Sequence, residues 1–338
     1  MSDRSAASHV KHTATAARDA FASYLTAGAH VKAASSVAIA RRLEERFILD
    51  GWPEGRCYGR EDELAEQFAV SCNRVREAAR ILEIRGTARM RRGRMGGLET
   101  SAPQADAVRD MVWAYCAFAE FPAQPFATPL HTERGIPPTF GANRILGFYT
   151  HCLDAMDRPK APQDAPYVPP ALRSTRVGQI VHDLMLRRGA GGWLEGQVLA
   201  SESSLCDQYQ VDRGVMRQAL RVLEAAGVAV SVPGRGYGLI ALPATPDSLC
   251  QLICCHFSAI RVTPREIQDA FDWLNEEAFA LADRDSLAEP IQPDLCARAA
   301  NPVLELLRRS LRALAVWNMQ KNRGLPTGTL PLLEPVGV

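Results

Sequence analysis

The feature that most limits how this 338-residue chain can fold is an internal repeat. The segment starting at Trp52 aligns without a gap with the one starting at Trp193, an offset of 193 − 52 = 141, and the matches run on to Gly97 and Gly238. Glu54-Gly55 pairs with Glu195-Gly196, Glu61 with Glu202, Leu64 with Leu205 and Val70 with Val211. The block Arg76-x-Ala78-x-Arg80-x-Leu82-Glu83-x-x-Gly86 returns as Arg217-x-Ala219-x-Arg221-x-Leu223-Glu224-x-x-Gly227, and Gly93-Arg94 as Gly234-Arg235. Further on, Asp106-x-Val108-x-x-Met111-Val112 matches Asp247-x-Leu249-x-x-Leu252-Ile253. Asn143-x-Ile145-Leu146 then matches Asn301-x-Val303-Leu304 at a longer offset, 301 − 143 = 158. A duplicated unit of head plus helical tail is the simplest account of such self-similarity.

Within one unit the periodicity is helical, helical, then extended. Val37, Ile39, Ala40, Leu43, Phe47 and Ile48 form one apolar stripe, which Asp50-Gly51-Trp52-Pro53 ends. A short helix is expected from Arg60 to Phe68, and a third over 71–85 with Ser71 as its cap and Gly86 as its stop. On that third helix Val75, Ala78, Ala79 and Leu82 fall on the core side, while Asn73, Arg76, Glu77 and Arg80 face away. Two short strands follow around Gly93-Arg94-Met95-Gly96-Gly97. The second copy repeats the order, with Ser201 and Asp212 as caps, a third helix over 212–226 and a hairpin tip at Pro233 to Gly238. The expected fold is mainly α: two winged helix-turn-helix domains with small β-hairpin wings, each followed by an α-helical segment.

These residues resemble the head motif of the GntR regulators. Gly196-x-x-Leu199-x-x-Glu202-x-x-Leu205, Val211-Asp212-Arg213 and Met216-Arg217-Gln218-Ala219-Leu220 fit it, as do Val70-Ser71 and Val75-Arg76-Glu77-Ala78. The first copy departs at Cys72, where the family usually has arginine. The resemblance implies a sequence-specific transcriptional regulator that puts helices 71–85 and 212–226 into the major groove of operator DNA. Arg76, Arg217 and Arg213 take the family's DNA-contacting arginine positions. The DNA-binding set is Ser71, Asn73, Arg74, Arg76, Arg80, Arg92 and Arg94 in the first head, and Arg213, Gly214, Arg217, Arg221, Arg235 and Tyr237 in the second. Arginine suits this work because its fork can bridge O6 and N7 of guanine. From Arg74 to Arg94 eight arginines face only Glu77 and Glu83, a local positive field in a chain whose formal net charge is +1. For Arg80 and Arg221, ion pairs with Glu83 and Glu224 compete with phosphate contact.

The tail around Asn301-Pro302 resembles the FadR-type sensing domain, reduced in length. That domain implies a Phe-His pair and later histidines binding metal and an organic acid. Here Ile291-Gln292 stand at the corresponding place and no histidine follows His256, so no metal and no cofactor is expected. The seven histidines show no ligand spacing, the nine cysteines form no C-x-x-C pair, and no catalytic motif is present, so an enzyme is not expected. No apolar run approaches membrane length, which makes a cytoplasmic protein without membrane contact the expectation. The expected organisation is an extension over 1–33 with a helical pattern at 13–26, a head at 34–101, a helical segment at 102–160 and a linker at 161–173. A second head follows at 174–243, then a helical segment at 244–323 and a tail at 324–338. Expected partners are double-stranded operator DNA and a homodimer or intrachain pseudo-dimer formed through the helical segments. A small-molecule effector stays unidentified. A plasmid-type replication initiator with tandem winged helices, or a protein-binding scaffold, remains as an alternative.

Overall fold

The computed structural model describes residues 36–93, 96–118, 142–156, 175–187, 198–226, 228–231, 238–241, 246–285 and 301–323. The expected helix at 13–26, the linker at 161–173 and the tail from 324 lie outside these residues. The described chain divides into two compact units. One holds the residues described within 36–118 and 150–261, and the other those within 142–149, 262–285 and 301–323.

The first unit contains two runs of the same element order. In the earlier run, α1 (Ser36–Leu49), α2 (Glu61–Phe68) and α3 (Cys72–Arg85) precede the strands β1 (Ala88–Arg91) and β2 (Gly97–Thr100), and α4 (Ala105–Phe118) follows. After α5 (Arg144–Met156), the later run has α6 (Arg176–Arg187), β3 (Val198–Ala200), α7 (Glu202–Tyr209), α8 (Arg213–Ala225), β4 (Ala229–Ser231), β5 (Leu239–Ala241) and α9 (Asp247–Ala259). In both runs the third helix packs on the first two through its apolar face. Ile39, Leu43, Leu64, Val75 and Leu82 are buried in one, and Ile180, Leu184, Leu205, Met216 and Leu223 in the other. Each such side chain contributes roughly 1.5–3 kcal/mol by leaving water. Trp52 is buried edge-on to Phe47, with ring centroids 5.7 Å apart.

The local hydrogen bonds of the two runs coincide at the offset of the sequence repeat. Ala69 and Gln210 close α2 and α7 in the left-handed region, each at φ 52°. The hairpin pairs Ala88↔Thr100, Arg89↔Glu99 and Met90↔Leu98 answer to Ala229↔Ala241, Val230↔Ile240 and Ser231↔Leu239. A third strand joins each hairpin, as the single bridge Cys57↔Glu99 and as the pair Val198↔Ile240. Glu83 accepts from the Met90 amide at 3.1 Å and Glu224 from that of Ser231 at 2.9 Å, so each third helix is tied to its own hairpin. Gly97 and Gly238 are required by close approach, since a Cβ would lie 2.7 Å from the Gly59 carbonyl oxygen and 2.1 Å from that of Ala200.

One buried cluster has no counterpart at that offset. Arg85, the last residue of α3, is 4% exposed and sends five hydrogen bonds to four groups. Two reach the Glu44 carboxylate on α1, at 2.7 and 3.0 Å. The others reach the Ser248 hydroxyl (3.0 Å) and carbonyl (3.0 Å) at the start of α9, and the Ala225 carbonyl (3.3 Å) at the end of α8. Thr87 also donates to Glu44, at 3.0 Å. Every donor of the guanidinium is therefore used. Gln251 of α9 adds a bond to the Arg41 carbonyl on α1. Arg85 belonged to the positive field expected from the sequence; it corrects that expectation, because its charge is buried inside the unit.

The second unit is helical. It comprises α5 as far as Tyr149, α10 (Pro264–Asp285) and α11 (Pro302–Arg323). Asn143 and Asn301 start α5 and α11 in the same way, their side-chain Oδ1 atoms accepting from the Leu146 and Leu304 amides at 3.3 and 3.1 Å. Their amide groups then donate outward, Asn143 to the Glu266 carbonyl and Asn301 to the Tyr149 hydroxyl. Thr263 and Glu266 bond reciprocally across the first turn of α10, a capping box with proline at the first helical position. Arg144 grips Glu266 at 2.8 and 2.7 Å, and this pairing above all holds the pKa of the Glu266 carboxyl at about 2 instead of 4.5.

Two outcomes are expected. Arg85→Ala, which strands the Glu44 carboxylate in the interior, should cost about 3–5 kcal/mol in urea unfolding, and replacing both residues by apolar ones should cost clearly less. Glu266→Gln should lower stability at neutral pH, because a carboxylate with a depressed pKa stabilises the fold above 4.5. That difference from the wild type should vanish as the pH falls towards about 2.

Candidate nucleic-acid interface

The ends of the third helix in each run are set by local hydrogen bonds. Ser71 caps α3 by accepting from the Arg74 amide, Asp212 caps α8 by accepting from the Val215 amide at 3.0 Å, and Gly86 ends α3 in the left-handed region. With the apolar faces buried, Ser71, Asn73, Arg76 and Arg80 project to the surface from the first run, and Arg213, Gly214 and Arg217 from the second. Arg92 at the hairpin end is also exposed. Arg94, Arg235 and Tyr237, expected at the two hairpin tips, lie outside the described residues.

Most of these arginines are already engaged. Arg76 meets Glu61 side-on, Nε to one carboxylate oxygen at 2.9 Å and a terminal nitrogen to the other at 2.7 Å. Arg217 meets Glu202 through Nε at 3.0 and 3.3 Å. Arg74 pairs with Glu77 at 3.3 Å and Arg80 with Glu83 at 2.8 Å. Arg89 and Arg91 share the buried Glu99 at 3.7 and 3.0 Å. Arg221 is only 15% exposed, held between Glu77 at 2.8 Å and Glu224. Burial raises the Glu224 pKa, and Arg221 and the Ser231 amide oppose that rise. Among the described residues, Arg92 and Arg213 carry no ion pair. The positive field read from residues 74–94 is thus trimmed by Glu61, Glu99 and Glu44, which lie outside that stretch.

The two helices also meet each other. A stripe on α3, with Asn73, Arg76, Glu77, Arg80 and Ile84, faces Arg217, Gln218, Arg221 and Val222 on α8 across a cleft of about 530 Å³. The Glu77–Arg221 bridge spans it. The reverse bridge is not available, because the residue answering to Glu77 is Gln218. Sequence reasoning assigned no role to Glu61 or Glu202. The signal was present, since both belong to the repeat and each precedes its arginine by the same interval.

Among the described residues no group of three or more His, Cys, Asp or Glu side chains is placed to hold a metal ion. His256 is buried, bonded to the Pro103 carbonyl at 2.9 Å, and burial lowers its pKa. His151 pairs with Asp106 at 2.8 Å. The described cysteines are free thiols, and burial raises the pKa values of Cys254 and Cys255. No described helix is long and apolar enough to cross a membrane.

Three packed helices, the third capped and turned outward with its arginines, and a hairpin tied to it define a helix-turn-helix domain of the DNA-binding class. Residues 178–239, from α6 to the start of β5, match the family described as bacterial regulatory proteins, gntR family. That match marks the stretch as the DNA-binding domain of a transcription regulator. No curated protein and no solved structure matches the chain.

Glu77→Ala should lower stability by about 1 kcal/mol, as the Arg221 bridge is only partly screened. Chemical unfolding of the full chain will measure it, and Gln218→Ala, which removes no ion pair, should have a smaller effect.

Proposed function

We propose that this chain is a transcription regulator that reads duplex operator DNA with two winged-helix heads, 34–101 and 174–243, the products of an internal duplication. The observation that carries the reading is the recurrence of local hydrogen bonds. Residues 36–100, outside the family match, repeat the caps, strand register and helix-to-hairpin ties of residues 178–239.

In this reading the N-terminal turns of α3 and α8 enter the major groove. Asn73, Arg76, Arg213 and Arg217 reach base edges. Phosphate contact is assigned to Ser71, Arg74, Arg80, Arg92, Arg94, Gly214, Arg221, Arg235 and Tyr237, with Arg221 and Arg80 also serving the contact between the helices. The heads act as a pair within one chain, joined through α3 and α8. The residue after the helix cap is Cys72 in one and Arg213 in the other. A thiol cannot make arginine's two-pronged guanine contact, so the operator has two unequal half-sites.

Binding should weaken steeply with salt, with a log–log slope of about −0.9 per phosphate contact, and six or so contacts give a slope near −5. Arg76→Ala and Arg217→Ala should each weaken binding to a duplex selected from a random library by roughly 1–3 kcal/mol, with thermal unfolding nearly unchanged. Affinity independent of salt, or unaltered in both variants, would remove duplex DNA from this surface.

A further inference from the structure

We infer that Glu61 and Glu202 are positioning residues for sequence reading, each holding the guanidinium of Arg76 or Arg217 in the orientation that meets a base. The inference rests on the reading of α3 and α8 as recognition helices.

Both carboxylates sit on the first turn of the preceding helix, α2 or α7, and both take the arginine by its Nε. A guanidinium held through Nε keeps the outward hydrogens of its two terminal nitrogens free. Those hydrogens form the end-on fork that fits O6 and N7 of guanine. The side chains of Arg76 and Arg217 are 65% and 59% exposed, so without the carboxylate each would sample many rotamers. Fixing the plane beforehand reduces the freedom lost on contact.

The charge argument points the same way. A carboxylate beside a DNA-facing arginine repels phosphate and cancels part of the local positive field. If these arginines served only as countercharges to the DNA backbone, Glu61 and Glu202 would weaken the interaction and help only the first turns of α2 and α7, which an acid not touching the arginine serves equally well. The same pair is nevertheless built in both runs, from the same helical positions. Arg92, which this reading sets against phosphate, by contrast carries no ion pair among the described residues, as suits a loose electrostatic contact.

The test compares two duplexes at one salt concentration, one selected from a random library by the wild-type full-length chain and one of the same composition scrambled. Glu61→Ala and Glu202→Ala remove the acceptor; Glu61→Gln and Glu202→Gln keep an uncharged one. Asp62→Asn removes an exposed charge from the same turn without touching Arg76. The ratio of affinities for selected and scrambled duplex should fall about fivefold or more in the alanine variants and less in the glutamine variants. Affinity for the scrambled duplex should stay level or rise. Asp62→Asn should move both affinities together and leave the ratio alone. Alanine variants that keep the wild-type ratio, rising in both affinities as Asp62→Asn does, would overturn the inference while leaving the DNA reading intact. A wild-type chain that enriches no duplex in the selection would overturn both.

Discussion

The arrangement of the first unit depends on burying one arginine. Arg85 has five donors, and they find acceptors only when α1, α3 and the ends of α8 and α9 are all in place. A hydrophobic contact tolerates sliding, but a buried guanidinium with an unfilled donor does not, because the desolvation penalty falls in full on the group left unpaired. The cluster therefore acts as a register pin between the two runs. It occurs once: the positions answering to Arg85 and Glu44 in the later run are Ala226 and Met185. The repeat supplies two similar bodies, and a departure from the repeat joins them.

Features set by neighbours in sequence were legible without a structure. Ser71, Gly86, Ser201 and Asp212 declare helix ends because capping involves residues only a few positions apart. The apolar stripes of α1 and α3 were legible for the same reason. What eluded the sequence was the state of each charge. Arg85 looks like any basic residue in a helix's last turn, and its burial depends on Glu44, far back in the chain, and on Ser248, far ahead. The arginines of α3 look like a positive patch until Glu61 and Glu99 are brought beside them by folding. Thr263-Pro264-Arg265-Glu266 was a local signal that sequence reading passed over; it opens α10 as a capping box.

The contact between α3 and α8 joins two runs of the same element order asymmetrically. In a symmetric pair of identical chains each residue must suit both sides of the axis, so an acid that helps one helix must also sit on the other. Here Glu77 faces Arg221 while Gln218 occupies the reciprocal place, and the bridge is made once. The two helices are complementary at this contact instead of identical. Glu77 also pairs with Arg74 on its own helix, so the same carboxylate links the tip of α3 to the middle of α8.

Because both helices belong to one chain, their association is not diluted. A dimer of separate chains comes apart as the protein becomes scarce. Partners linked covalently meet at an effective concentration set by the linkage and not by the number of copies in the cell. The Glu77–Arg221 contact is thus as complete in a cell holding one molecule as in one holding thousands.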